Sequence, residues 1–217
     1  MNTAVLKPAP STTWASGWRS LAVLGLAMIL AVVFVAMFAL RYFTWDQQVF
    51  GQYWPRRGWL LLHVTGGIVT LLLGPGQVWL GLKGERMNLH RRIGIAYMAC
   101  VGLSSAAAFY LAAHTDLGWV FGAGLSGLAV AWLVTTGVGF AAIRRGQILQ
   151  HQEWMIRSYV VTFAFVTFRI FVGITQATGV GTIQEDLAAA SWFCWAVPLL
   201  VTEAVLQGRK IFAVRRR

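Results

Sequence analysis

The strongest constraint on the fold is a set of six long apolar runs that divide most of the chain. Each run has 20–26 residues, and only the last two contain a charged residue, Arg169 and Glu203 respectively. About 20 consecutive apolar residues are enough for one helix to cross a bilayer. The runs cover residues 21–40, 58–82, 93–113, 118–143, 158–177 and 187–206.

This pattern predicts an all-α polytopic membrane protein with six transmembrane helices. The connections between runs are short, so neighbouring helices should be antiparallel, with spans 2–5 as a four-helix core and spans 1 and 6 beside it. We divide the chain into a cytoplasmic N-terminal leader (1–20), a six-span transmembrane domain (21–207) and a basic cytoplasmic tail (208–217).

Composition supports the membrane assignment and argues against nucleic acid as a partner. Of the 217 residues, 58% are hydrophobic and only 12% are charged, which is too little charge for the surface of a soluble domain. The net charge of +11 is large. The basic residues nevertheless lie between the apolar runs, not on one amphipathic face, so the expected partner is the lipid bilayer and its anionic headgroups.

The positions of the basic residues predict the orientation. Of the 18 Lys and Arg residues, 14 lie in the terminal segments and in the second and fourth connections, three lie in the other connections, and Arg169 lies within a span. Cytoplasmic loops carry an excess of Lys and Arg, so we expect both termini in the cytoplasm of a bacterium and the spans in its inner membrane.

Residues 151–176, HQEWMIRSYVVTFAFVTFRIFVGITQ, suggest where a function would lie. Interpreted as one continuous helix, this segment is apolar on most faces and collects its polar and small residues on one narrow stripe. Such a helix suits lipid on one side and protein on the other. The stripe consists of His151, Ser158, Thr162, Arg169, Gly173 and Gln176.

Two histidines suggest a redox cofactor. His90 and His151 open the third and fifth spans at the same predicted side, and these spans are diagonal partners in an up-and-down bundle. Two facing imidazoles are the axial ligands of a b-type haem, and neighbouring Arg residues could bind its propionates. His114 lies about 120° away from His90 around the third span, so we do not expect a second haem between His63 and His114.

A second group of polar residues lies deeper in the spans. His63 and Arg169 fall at comparable depths, and an ionisable group within the membrane is costly and usually marks function. We expect Arg169 to face the protein interior and to line a polar pocket with His63 and Gln77. These residues could equally line the path of a small-molecule or proton-linked transporter.

Other chemistry finds little support in the sequence. There is no GxSxG, P-loop or HExxH motif and no paired carboxylates, so no catalytic residue can be assigned and enzymatic activity stays open. No metal other than the iron of a candidate haem b is indicated. The remaining hypotheses are a haem carrier exchanging electrons with quinone or a redox partner, a transporter, and a non-catalytic scaffold. The sequence does not predict the oligomeric state.

Several motifs in spans 2–5 resemble a bacterial family of multi-pass membrane proteins, the domain-of-unknown-function 2306 family. The motifs are HVTGG at 63–67 with GPGQ at 74–77, HRRIGIAY at 90–97, and HQEWMIRSY at 151–159 with TFA at 162–164 and TFR at 167–169. The resemblance implies a polytopic membrane protein that includes His63, His90, His151 and Arg169 in its pattern. It implies no activity.

Overall fold

The computed structural model describes residues 18–84 and 86–214, and all regular secondary structure within them is helical. The helices are α1 (Trp18–Phe34), α2 (Gln47–Phe50), α3 (Arg57–Lys83), α4 (Met87–Ala113), α5 (Trp119–Arg144), α6 (Ile148–Thr162), α7 (Ala164–Thr178) and α8 (Ile183–Val214). A π-helical turn (Val35–Ala39) and a 3-10 turn (Leu40–Thr44) extend α1, and a second 3-10 segment (Gly51–Arg56) leads into α3.

Six membrane spans are present if α6 and α7 are counted as one. Five helical segments of the described chain are long and apolar enough to cross a bilayer, and α6 with α7 passes the same test as a bent pair. The all-α fold with multiple spans is therefore confirmed. The five segments are Ser20–Thr44, Gln47–Lys83, Met87–Ala113, Trp119–Arg144 and Ile183–Phe212.

The prediction of one continuous helix over 151–176 is wrong. The helix breaks at Phe163, whose ψ of −8° departs from the ideal helical value of about −42°, and α6 and α7 are bent by 40°. The hydroxyl of Thr162 donates to the carbonyl of Ser158 one turn earlier, a back-bond that bends helices. No Pro or Gly marks the break, so it could not be predicted from the local sequence.

The four-helix core consists of α3, α4, α5 and α6, with α8 packed on α5, α6 and α7, and α1 packed on α3. A reciprocal pair of hydrogen bonds joins α3 to α4. His63 Nδ1 lies 3.0 Å from the Ser104 carbonyl oxygen, and the Ser104 hydroxyl donates to the His63 carbonyl at 2.9 Å. This close approach requires Gly66, because a Cβ there would collide with the Ser104 side chain.

An aromatic cap covers one end of the bundle. Phe50 of α2 is buried and makes edge contacts with Tyr42 and Trp54, at centroid distances of 5.6 Å in both cases. It packs against Leu60 and Leu111 at the adjacent ends of α3 and α4.

The expected leader and tail are described only in part. Residues 1–17 of the leader and 215–217 of the tail lie outside the described residues. α1 begins at Trp18, and α8 continues through the first part of the tail to Val214.

Candidate functional site

Two regions of the bundle contain the residues singled out above. At one end of the bundle, α3 and α5 finish and α4 and α6 begin. We call it the basic end, because it carries six basic residues: Lys83, Arg86, Arg91, Arg92, Arg144 and Arg145. The end covered by Phe50 is the capped end. His90, His151 and Gln77 lie towards the basic end, whereas His63 and Arg169 line a cavity towards the capped end.

At the basic end, α4 and α6 bring His90 and His151 together. Their ring centroids are 6.5 Å apart and their planes are nearly perpendicular, at 88°. Both residues are partly buried. The two imidazoles occupy the first turns of their helices, so the packing of α4 and α6 in the core determines their separation.

A backbone hydrogen bond determines the tautomer of His151. Its Nδ1 lies 2.9 Å from the carbonyl oxygen of Gly139 on α5. Because a carbonyl only accepts, Nδ1 must carry the hydrogen, and Nε2 of the neutral ring keeps a free lone pair. An imidazole that ligates a metal is commonly held by this kind of bond from its other nitrogen.

Two buried polar atoms beside the histidine pair have no hydrogen-bond partner. They are Nδ1 of His90 and Oε1 of Gln77. Gln77 is nevertheless held in place, because its Nε2 donates to the His90 carbonyl at 2.9 Å. Unpartnered buried polar atoms are rare and call for an explanation, such as a group that binds there.

The His90 ring lies close to the α3 backbone at Gly81. A Cβ at Gly81 would lie 3.3 Å from Cε1 of the His90 ring, so any side chain there would press on the imidazole. The six basic residues of this end are all exposed. Their positive charge is therefore available to an anionic group lying near the histidine pair.

A buried chain of hydroxyl groups crosses the middle of the core. It joins α4, α5 and α6 just before the break at Phe163, and all five of its side chains are at most 4% exposed. The contacts are Tyr97 to Ser158 (3.0 Å), Tyr97 to Thr162 (2.8 Å), Thr136 to Ser158 (2.7 Å), and Trp132 to Thr162 (2.8 Å).

The donors in this chain follow from one fixed bond. The Thr162 hydroxyl donates to the Ser158 carbonyl, so it must accept from Tyr97 as well as from the Trp132 indole. Tyr97 then accepts from Ser158, and Ser158 accepts from Thr136. Thr162 is thus the acceptor on which two buried donors converge.

A cavity of about 210 Å³ lies between the buried chain of hydroxyl groups and the capped end. Its walls are mostly apolar and aromatic, including Phe34 and Phe38 of the first span, Trp132 of α5, and Phe165 and Phe168 of α7. α1 is largely exposed along its length, so the side of the cavity formed by the first span lies next to the surface that faces lipid.

His63 and Arg169 both line the cavity, and Gln77 does not. The bond of His63 Nδ1 to the Ser104 carbonyl leaves Nε2 as an acceptor in the neutral ring. Arg169 is exposed and is not turned to the protein interior as the sequence predicted, and its guanidinium lies 5.4 Å from the centroid of the Phe38 ring. Within the described residues, Arg169 has no carboxylate or hydrogen-bond partner.

His114 lies apart from these sites. It is exposed at the end of α4, where its Nδ1 lies 2.8 Å from the Tyr110 carbonyl and its ring contacts the Tyr110 ring. No group of three or more His, Cys, Asp or Glu side chains in residues 18–84 and 86–214 is placed to hold a metal ion. Cys100 and Cys194 are free.

An ion pair between α6 and α8 was not expected from the sequence. Arg157, assigned to the basic connections, is buried at 6% exposure, and its Nε donates to Glu203 at 2.8 Å. Glu153 also approaches Arg157 at 3.8 Å and pairs with Lys210 at 2.7 Å. The signal that could have revealed the pair is Glu203 itself, a carboxylate within an apolar run at the same predicted depth as Arg157.

Comparison with known proteins gives a family and no activity. A family model described as a predicted membrane protein, domain of unknown function 2306, matches residues 60–206. No curated protein and no solved structure matches the chain. The family match spans 147 of the 217 residues, from the second span to the last, and includes the histidine pair and most of the cavity. The chain therefore belongs to the domain-of-unknown-function 2306 family of predicted membrane proteins.

Proposed function

We propose that the protein is a membrane electron-transfer protein that binds one b-type haem between His90 and His151. The observation that carries the proposal is the 6.5 Å separation of the two ring centroids. A ring nitrogen binds a metal ion at about 2.0–2.1 Å and lies about 1.2 Å from its own ring centre, so two imidazoles on opposite sides of one iron have centres about 6.4 Å apart.

The protonation of the rings supports the same assignment. His151 offers a free Nε2 lone pair, because its Nδ1 hydrogen is used by the Gly139 carbonyl. This bond also fixes the plane of the ring, as the second hydrogen bond of a ligating histidine normally does. The unpartnered buried Nδ1 of His90 and Oε1 of Gln77 are further polar atoms available to a bound group.

The charge around the pair suits a dianionic porphyrin. The exposed basic residues of α3, α4 and α5 at this end could pair with two propionates, and Arg does so through a planar, bidentate fork. His90 and His151 would hold the haem, and a haem held by two histidines would supply one-electron transfer.

The experiment is to express the full-length protein with a haem precursor, purify it in detergent and record its absorbance spectrum. The wild-type protein should carry haem with the absorbance of a six-coordinate b-type centre. The His90→Ala and His151→Ala variants should each lose it, because one remaining imidazole does not provide bis-histidine ligation.

The matched control is His114→Ala, which removes an exposed histidine bonded only within its own helix. This variant should keep the full haem content. Far-UV circular dichroism and gel filtration would establish that all three variants are folded. Retention of haem by folded His90→Ala and His151→Ala proteins would contradict the proposal.

A further inference from the structure

We propose that the cavity at the capped end binds the headgroup of a quinol or quinone whose tail extends into the bilayer. This inference goes beyond the haem site and rests on separate residues. His63 lies 14 residues before Gln77 on α3, which places the two regions about 21 Å apart along the helix at 1.5 Å per residue. A failure to bind haem would therefore not contradict this proposal, and a failure to bind quinol would not contradict haem binding.

The size of the cavity suits one substituted ring. An apolar protein cavity of about 150 Å³ can bind benzene, and this one has about 210 Å³. Its walls contain aromatic side chains from several helices, and aromatic faces favour stacked or edge contacts with a flat ring. A complete drug-sized ligand needs at least about 300 Å³, so the tail must lie outside the cavity.

The position of Arg169 indicates the route for the tail. This side chain is exposed and lines the cavity together with Phe38 of the first span, so the cavity reaches the surface between the first span and α7. The first span is the least buried of the five membrane-crossing segments. A ligand entering here would come from the lipid phase.

The polar groups select the chemistry of the ring. Arg169 has donors and no carboxylate partner among the described residues, so it can donate to a ligand oxygen. His63 Nε2 is an acceptor, because Nδ1 is bonded to the Ser104 carbonyl. A quinol matches both groups, since it donates through one hydroxyl and accepts at its second oxygen. A fatty-acid carboxylate matches only the arginine.

The test is to titrate the full-length protein in detergent with decylubiquinol under anaerobic conditions. Quenching of tryptophan fluorescence measures the binding. We expect saturable binding of one molecule per chain. Arg169→Met and His63→Asn should each weaken binding by tenfold or more, because a hydrogen bond to a charged or buried partner contributes at least that factor. Asn keeps a donor near the position of Nδ1 and removes Nε2.

Two further variants separate the site from general stability. Ala108 lines the cavity, so Ala108→Phe should fill it and abolish binding while the protein remains folded. Arg57→Met is the matched control, because Arg57 also lies over aromatic rings, Trp45 and Trp54, and does not line the cavity. Its affinity for decylubiquinol should equal that of the wild type.

Three results would overturn the proposal. The first is the absence of saturable binding by the wild-type protein. The second is unchanged affinity in Ala108→Phe, which would place the ligand elsewhere. The third is displacement of decylubiquinol by decanoate with an affinity equal to that of decylubiquinol itself, which would identify a site for anionic amphiphiles and not for a ring with two oxygens.

Discussion

Replacing Thr162 by Val tests whether the buried hydroxyl chain stabilises the core. Val keeps the shape of the side chain and removes the hydroxyl on which the Tyr97 hydroxyl and the Trp132 indole converge. Tyr97 still has Ser158 as a partner. The indole N–H of Trp132 loses its acceptor and stays buried, since the residue is 2% exposed.

The expected loss of stability is about 2–4 kcal/mol. An orphaned buried donor costs about 1–3 kcal/mol. A hydrogen bond between membrane helices contributes about 0.6 kcal/mol on average and 1.7 kcal/mol at most, which covers the lost bond from Tyr97. The free energy of unfolding can be measured by titration with SDS in mixed micelles, with circular dichroism as the signal.

Thr70→Val is the matched control, because Thr70 and Thr162 are both fully buried. The Thr70 hydroxyl bonds only to the Gly66 and Gly67 carbonyls of its own helix. Removing such a back-bond leaves no donor unpaired, so the change in stability should be within about 0.5 kcal/mol of zero. Equal effects of the two substitutions would refute the argument that the interhelical chain holds α4, α5 and α6 together.

Three more predictions concern other parts of the bundle. Glu203→Leu should destabilise the protein by about 2 kcal/mol, because it leaves the buried Arg157 guanidinium without its main partner. Adding Arg157→Met to this variant should restore at least half of the lost free energy of unfolding in the same SDS titration. Gly74→Ala should lower the free energy of unfolding by about 1–3 kcal/mol, because a tyrosine ring from α6 occupies the place of the new methyl group. Gly76→Ala should leave stability nearly unchanged, because no atom lies within 4 Å of the new methyl group. A similar loss of stability in both variants would argue against this packing. A reporter active only in the cytoplasm should give a signal when fused after Gly146 and none in the connection between α4 and α5, and the reverse result would invert the predicted orientation.

Most of the fold could be predicted because it depends on properties that the sequence displays directly. Apolar length predicted the spans: five of the six runs fall within a helical segment or the bent pair, and the run 118–143 begins one residue before its segment, Trp119–Arg144. The histidine pair could also be anticipated, because helix order in an up-and-down bundle makes the third and fifth spans diagonal neighbours. The stripe predicted on residues 151–176 holds only before the break at Phe163: Ser158 and Thr162 are fully buried, whereas Arg169, Gly173 and Gln176 are exposed.

The remaining features depend on contacts between distant residues that no local pattern records. The break at Phe163 accompanies a threonine back-bond held by partners on two other helices, and threonine is common in unbroken membrane helices. Trp132 and Thr136 complete the hydroxyl chain from α5, a span in which no residue was singled out from the sequence. Arg157 was assigned to a loop because charge statistics ignore its partner on α8.

The residues around the cavity also depend on contacts that could not be predicted from the sequence. Depth along the helices suggested that His63 and Arg169 lie near each other, and both line one cavity, although its walls are mostly apolar and Arg169 is exposed. Depth alone did not indicate that Gln77 belongs with His90, although Gln77 lies on the same face of α3 as His63. A long side chain reaches the nearest carbonyl group on a neighbouring helix, and only the packing of α3 against α4 determines which carbonyl that is.

The measurement that tests the haem proposal most directly is the electron paramagnetic resonance spectrum of the oxidised, haem-loaded protein, together with its haem content. We expect one haem per chain, in a low-spin state with His90 and His151 as its ligands. Because the planes of the His90 and His151 rings are 88° apart, the low-spin signal should be strongly anisotropic, as expected for perpendicular axial imidazoles. Protein that remains free of haem under ample haem supply, or that shows a high-spin signal with a single histidine ligand, would contradict it.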